Sequence, residues 1–296
     1  MLSMDGYAKL KIKERESRMG KKKINGNKRI WLRIFLIMGI LFFGSSDSIA
    51  ASASSDTAIS QTENATGEWQ NRNQKFFYYQ KGKKVKGLAR IKGKTYYFDS
   101  KGVQHTGWQK IDGSYYFFQN ANGKKGSMDA SSIVNGMTLG ADGKAVVNRG
   151  SKEKLEILVM ANEIVEKATK PEMKKSEKLK KTYDYLMKHF KYRGSPKFVY
   201  TGHWELDYAR SLFEEGHGSC YAFGAGFAFL ANAVGYKDCY AVSSGGHGWA
   251  EANGKVYDPT WGLIDQRHNY YGMRFDLSGV DGRPNYKRAR TYVAEI

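Results

Sequence analysis

Residues 245–261 read Gly245-Gly246-His247-Gly248-Trp249-Ala250-Glu251-Ala252-Asn253-Gly254-Lys255-Val256-Tyr257-Asp258-Pro259-Thr260-Trp261. Asn253-Gly254 between two strand-like runs signals a hairpin, because both residues accept the positive φ of a two-residue turn. Such a turn pairs Ala252 with Lys255 and, counting outward, His247 with Thr260. Asp258 is then a diagonal neighbour of His247 on the same face, within side-chain reach. Upstream, Gly218-Ser219-Cys220-Tyr221-Ala222 leads into Phe223, Phe227, Leu230 and Val234, a helical spacing that ends at Gly235. Cys220 therefore stands at or near a helix start, where backbone N–H groups and the helix dipole favour a thiolate. A thiol there, facing an imidazole and a carboxylate on adjacent strands, has the makings of nucleophilic acyl transfer.

The flanks predict an α+β fold, an antiparallel sheet with helices on one side. Leu155, Leu158, Val159 and Asn162 to Val165 predict a helix capped by Ser151 and ended by Pro171. Leu179, Tyr183, Leu186 and Phe190 predict a second helix with a solvated, Lys-rich outer face. Trp204 to Glu215 predicts a third, closed by Gly216 and Gly218. Tyr240 to Ser244 reads as a strand, and Thr291 to Ala294 as one that completes the sheet.

Gly218-x-Cys220, Gly235, His247-Gly248-Trp249 and Tyr257-Asp258-Pro259-Thr260, in this order, resemble the transglutaminase-like superfamily of papain-like fold enzymes over about residues 176–262. The resemblance implies that Cys220 attacks a carbonyl and forms a thioester. His247 would be general base and then acid, and Asp258 would orient and stabilise the imidazolium. The backbone N–H of Cys220 would donate to the oxyanion, with Trp204, Tyr208 or Tyr221 as candidate side-chain donors. No cofactor is implied. A Cys220–Cys239 disulfide is disfavoured, because a helix of about fifteen residues separates them by roughly 22 Å. A metal site built from His203, His217, His247 and Asp258 matches no zinc spacing. His203 and His217 read as surface or supporting residues.

Residues 67–149 carry a repeat of period twenty. Gly67, Gly87 and Gly107 are in register, as are Phe76-Phe77-Tyr78, Tyr96-Tyr97-Phe98 and Tyr116-Phe117-Phe118. Each unit reads as a short hairpin whose core is mostly stacked aromatics. Asp142-Gly143-Lys144 marks the turn of a fourth, eroded unit. Lys94-Thr95-Tyr96-Tyr97-Phe98-Asp99-Ser100-Lys101-Gly102 and Gly107-Trp108 resemble cell-wall-binding repeats related to choline-binding repeats. That resemblance implies attachment to a cell-wall polymer or glycan, with Trp69, Tyr96, Tyr97, Trp108 and Tyr116 as candidate contacts. Choline is less secure, since the Gly-Trp pair occurs properly once, at Trp108. Alternatively, these aromatics only stack on one another. Lys75, Lys81, Lys83, Lys84, Lys86, Lys92 and Lys94 suit an anionic polymer; nucleic acid is not the expected partner.

The chain has 296 residues and a net charge of +19. Residues 1–50 hold 11 Lys+Arg and 4 Asp+Glu; the remainder holds 37 and 25, or +12. A basic stretch to Arg33, an apolar run from Ile34 to Phe43 and Ala50-Ala51-Ser52-Ala53 describe a secretory signal peptide. Translation begins at Met1 or, for a tidier signal, at Met19. The apolar run is too short for a permanent membrane span. The expected plan is signal peptide 1–50, linker 51–66, wall-binding repeats 67–149 and catalytic domain 150–296. It describes a secreted, cell-wall-associated Cys-His-Asp enzyme acting on a peptide or protein. It would be either a cysteine peptidase or a transglutaminase-type acyltransferase. The alternative is a non-catalytic wall-binding adhesin or scaffold whose papain-like domain recognises peptides.

Overall fold

The computed structural model describes residues 60–61, 67–119, 126–194 and 196–296. The expected signal peptide and most of the expected linker lie outside them.

The first half is a stack of hairpins. Strand β1 (Ser60–Gln61) runs parallel to β5, and β2 (Gly67–Arg72), β3 (Lys75–Gln80) and β4 (Lys83–Lys84) form the first unit. β5 (Gly87–Ile91), β6 (Lys94–Phe98) and β7 (Gln104–His105) form the second, and β8 (Gly107–Ile111) and β9 (Ser114–Phe118) the third. A shorter fourth hairpin joins β10 (Ser132–Val134) to β11 (Met137–Leu139). It turns at Asn135-Gly136, not at Asp142–Lys144, which form its later turn. Except between β6 and β7, these hairpins turn on two residues at positive φ, such as Lys92-Gly93 and Asp112-Gly113, the twist that suits a tight antiparallel connection. Aromatics dominate the small cores between units, as expected, but Leu88, Ile91 and Ile111 share the work.

Helix α1 (Arg149–Ala168) opens the second half. Its N-cap is Asn148, and Ser151 is the reciprocal partner three residues inside, so the cap lies earlier than the spacing predicts. Then come α2 (Lys175–His189), β12 (Lys191–Tyr192), α3 (Trp204–Glu215), β13 (His217–Gly218) and α4 (Cys220–Ala233). Strands β14 (Cys239–Ser243), β15 (Gly248–Ala252) and β16 (Lys255–Tyr257), helix α5 (Pro259–Ile264) and β17 (Tyr292–Glu295) complete the chain. The antiparallel sheet has the order β16-β15-β14-β17. Helix α4 is buried along its whole length between the sheet and the other helices. On the opposite sheet face, Tyr270, Met273 and Tyr286 of the C-terminal segment cover Val242, Trp249 and Val256, with Trp261 of α5 packed against them.

The two halves share one core. Trp108, Tyr115 and Leu139 of the hairpins pack in the same cluster as Leu155, Leu158 and Phe227 of the helices.

Candidate active site

The site forms where the head of α4 meets the start of β15. Ser219 is the N-cap of α4, its hydroxyl accepting from the Ala222 N–H, and Cys220 is the first helical residue. The helix crosses the sheet at backbone contact distance. A Cβ on Gly248 would lie 2.6 Å from Tyr221 Cα, and one on Gly224 would lie 2.6 Å from Trp249 N. Glycine at these two positions lets the thiol-bearing turn sit directly against the strand that follows His247.

The hairpin register is Ala252↔Lys255, Glu251↔Val256 and Ala250↔Tyr257. The ladder stops there, so Thr260 does not pair with His247. Pro259, which has no N–H to offer a strand, is the first residue of α5, and Asp258 is its N-cap. Asp258 still reaches His247: Nε2 and Oδ2 are 2.5 Å apart. The other ring nitrogen, Nδ1, is buried with no nitrogen or oxygen partner. Burial works against a charged His247, but the negative charge of Asp258, then that of Cys220, raise its pKa to about 10. Cys220 also acts on the ring by hydrogen bonding.

Asp258 is fully buried and is held by four groups. Oδ2 takes His247 and the Tyr286 hydroxyl at 2.8 Å; Oδ1 takes the Thr260 hydroxyl at 2.9 Å and the Trp261 N–H at 3.0 Å. Burial alone would raise its pKa, yet the charge of His247 and these donors hold it below the usual carboxylate value. The sequence reading missed Tyr286 and Thr260 as Asp258 partners, and missed the Tyr183 hydroxyl, which donates to the Asp258 carbonyl at 3.0 Å. No periodicity or motif points to Tyr286, 28 residues beyond its partner.

The sequence profile of the transglutaminase-like superfamily matches residues 160–259, and that of the choline-binding repeat matches residues 85–128. The chain carries a transglutaminase-like domain behind a choline-binding repeat. Among solved structures, CbpJ from Streptococcus pneumoniae TIGR4 is 25% identical over 28% of this chain and 29% of its own, with a TM-score of 0.25. The pneumococcal cell-wall endolysin of phage Cp-1, complexed with choline, is 23% identical over 29% of this chain and 26% of its own, at 0.25. A truncated alternansucrase from Leuconostoc mesenteroides is 28% identical over 28% of this chain and 7% of its own, at 0.24. This chain thus spans less than a third of each of these proteins. No curated protein matches it.

Neither cysteine of the transglutaminase-like domain is in a disulfide. Cys239 is a buried residue of β14, its pKa pushed up to about 12 by burial. The three candidate oxyanion donors belong to one aromatic cluster around Phe198. Tyr221 gives its hydroxyl proton to the Gly245 carbonyl at 3.1 Å, Tyr208 accepts from the Val199 N–H at 3.1 Å, and Trp204 is buried. His203 is exposed just before α3, and His217 lies 3.5 Å from Glu215.

The aromatics expected to meet a wall polymer do not form one open face. Trp69 is half-buried against Tyr78, Tyr96 and Phe98, and Tyr97 stacks on Phe118. Tyr116 is buried between hairpins. Trp108 departs furthest from the expectation. Only 3% exposed, it fills the core shared with the transglutaminase-like domain, and its Nε1–H donates to Asn135 Oδ1 at 2.9 Å. That leaves no face of Trp108 for a ligand.

A second, half-buried histidine closes the joint between the halves. His105 Nδ1 is 2.8 Å from Glu166 on α1, and its Nε2 is 3.4 Å from Asp99 in the turn between β6 and β7. Nearby, the Asn162 amide donates to the Thr106 carbonyl at 2.8 Å. These residues line a cleft of about 750 Å³ between hairpins and helices. Among the described residues, no helix is long and apolar enough to cross a membrane.

Proposed function

We propose that this chain is a secreted, cell-wall-associated enzyme that breaks or remakes an amide bond through a thioester on Cys220. One observation carries the reading. His247 spends Nε2 on a fully hydrogen-bonded, buried Asp258, which leaves Nδ1 for the thiol at the head of α4. Asp258 and the thiol together favour an imidazolium, and an imidazolium beside a helix N-terminus favours a thiolate.

The chemistry follows from these groups. The thiolate attacks the amide carbonyl and forms a C–S bond, while the positive end of α4 offsets charge on the carbonyl oxygen. The imidazolium gives its proton to the departing amine as the C–N bond breaks. Water or a second amine then attacks the thioester, passes its proton to Nδ1 and restores the thiolate. Water yields hydrolysis and an amine yields a crosslink; exclusion of water around the thioester decides between them. The papain-like arrangement of helix head and sheet belongs to this reading. So does the division of labour in which residues 67–149 hold the wall and residues 150–296 act on peptide or protein there. Trp69 and Tyr97, both half-buried, are the repeat aromatics left to meet wall polymer or glycan, and tethering raises the local substrate concentration.

Intact-mass analysis with an electrophilic thiol reagent at neutral pH tests the proposal. Cys220 labels rapidly and once in the wild type, slowly in His247→Ala and not at all in Cys220→Ala. Labelling of Cys220 at the rate of an ordinary free thiol defeats the enzyme reading and leaves a wall-binding scaffold.

A further inference from the structure

Next to the site lies an aromatic ledge that the chemistry above does not use. Phe198 packs its ring 4.9 Å from Tyr221 and 4.9 Å from Tyr292. Tyr200 stacks on Tyr292 at 5.0 Å. Both supporting tyrosines touch the candidate machinery. Tyr221 follows Cys220 and bonds the Gly245 carbonyl, and the Tyr292 ring edge lies 3.8 Å from where a Gly245 Cβ would stand, two residues before His247. The ledge therefore flanks the thiol and the loop that brings the imidazole.

Its outer surface is apolar and open. Val199 is 62% and Tyr200 61% exposed, among the largest such values for hydrophobic residues here. The segment is pinned: the Val199 N–H is held by the Tyr208 hydroxyl at 3.1 Å, and Thr201 bonds Asp207 on α3 at 2.6 Å. An ordered, exposed pair of large apolar side chains beside a reacting centre costs solvation in the free protein, which a covering ligand recovers.

We infer that Val199 and Tyr200, backed by Phe198 and Tyr292, form the subsite for a large apolar or aromatic side chain next to the reacting amide of a peptide or protein substrate. The inference rests on the enzyme reading for the identity of the occupant, because Tyr221 follows Cys220 and the Gly245 loop it holds leads to His247. Aromatic rings suit the place: they bury much area for few rotatable bonds and stack on an edge already built of rings.

Binding to the full-length Cys220→Ala protein tests this without turnover. Two capped peptides are compared by titration calorimetry, identical except for Phe or Gly beside the central peptide amide. The Phe peptide binds at least tenfold tighter. In Cys220→Ala/Tyr200→Ser, and separately in Cys220→Ala/Val199→Ser, that ratio falls to threefold or less. Because the ratio is taken within one protein, a loss of folded material does not imitate the result. Equal binding of the two peptides, no measurable binding of either, or an unchanged ratio in both variants overturns the subsite. Failure of the enzyme reading shows separately, as slow labelling of Cys220 in the wild type.

Discussion

His247 and His105 are built alike and placed in different regions. Each is a largely buried imidazole with a carboxylate on one nitrogen at hydrogen-bonding distance, and each has its pKa raised against the pull of burial. They differ in the second neighbour. His105 meets another carboxylate, Asp99; His247 meets the thiol Cys220. A neutral imidazole carries one N–H, so a ring between two carboxylates satisfies both only as the imidazolium. It then sits as a fixed counter-ion between modules. Under the proposed chemistry, a thiol in the second place makes the same charge exchangeable, since an acylated sulfur would no longer need it and the proton could leave with the amine. On the proposed reading, the difference between a joint and a reaction centre is one neighbour.

The largest expected effect lies at the site. His247→Ala slows alkylation of Cys220 by about 10³-fold, near 4 kcal/mol and within the usual worth of a positioned acid–base, while His105→Ala does not change it. Equal losses from the two substitutions would dissolve the distinction. Next comes Trp108→Ala, which removes a ring from the shared core and costs about 3 kcal/mol. Because Trp108 packs with both hairpins and helices, chemical unfolding followed by tryptophan fluorescence and by circular dichroism shifts as one transition. Two separated transitions, with the helical one unmoved, would mean the modules are merely adjacent.

What could be read in advance was local. The Asn253-Gly254 turn and the counting of residues along two short strands bring His247 near Asp258, and small residues before an apolar helix mark Cys220 as a helix head. Each rests on contacts a few residues apart. Pro259 moved Asp258 from a strand position to a helix cap, which the same counting did not foresee, although a missing N–H at the next residue was signal enough. Tyr286, Asn162, Glu166 and His105 were silent. Their partners lie 28 to 61 residues away, most of them across the module joint, and no periodicity encodes which irregular segment folds over a buried carboxylate. Trp108 misled for a related reason. An exposed ligand-binding aromatic and a docking aromatic look the same until the surface opposite is known.

Asp258→Asn tests whether the carboxylate is what keeps His247 charged. Asp258 raises the pKa of His247, so the amide variant lowers it, and the imidazole loses its proton earlier as pH rises. The ring resonances of His247, followed by NMR, titrate near pH 10 in the wild type and at least about one unit lower in the variant, the equivalent of roughly 1.4 kcal/mol. A wild-type midpoint at or below 7 would leave His247 without the support its surroundings imply.

The smallest effect tests the joint. His105 has a folded-state pKa above its ordinary value of 6.5; burial opposes this, and the hydrogen bond and charge of Glu166, then those of Asp99, overcome it. Its stabilisation is therefore complete below about pH 6.5 and fades as pH rises through the raised value. His105→Gln keeps a donor for one carboxylate but no charge. Guanidinium unfolding should place it about 1 kcal/mol below the wild type near pH 6, the scale of one charged hydrogen bond in a partly open cleft, with the gap closing toward alkaline pH. His247 adds a slope of the same sign in both proteins and cancels in the difference. Glu163, Lys167, Lys170, Lys178 and Lys75 also line the cleft. These groups are the same in both proteins, so their own contributions cancel in the difference. A gap constant with pH would make His105 a packing residue, and the likeness between the two histidines would be one of geometry alone.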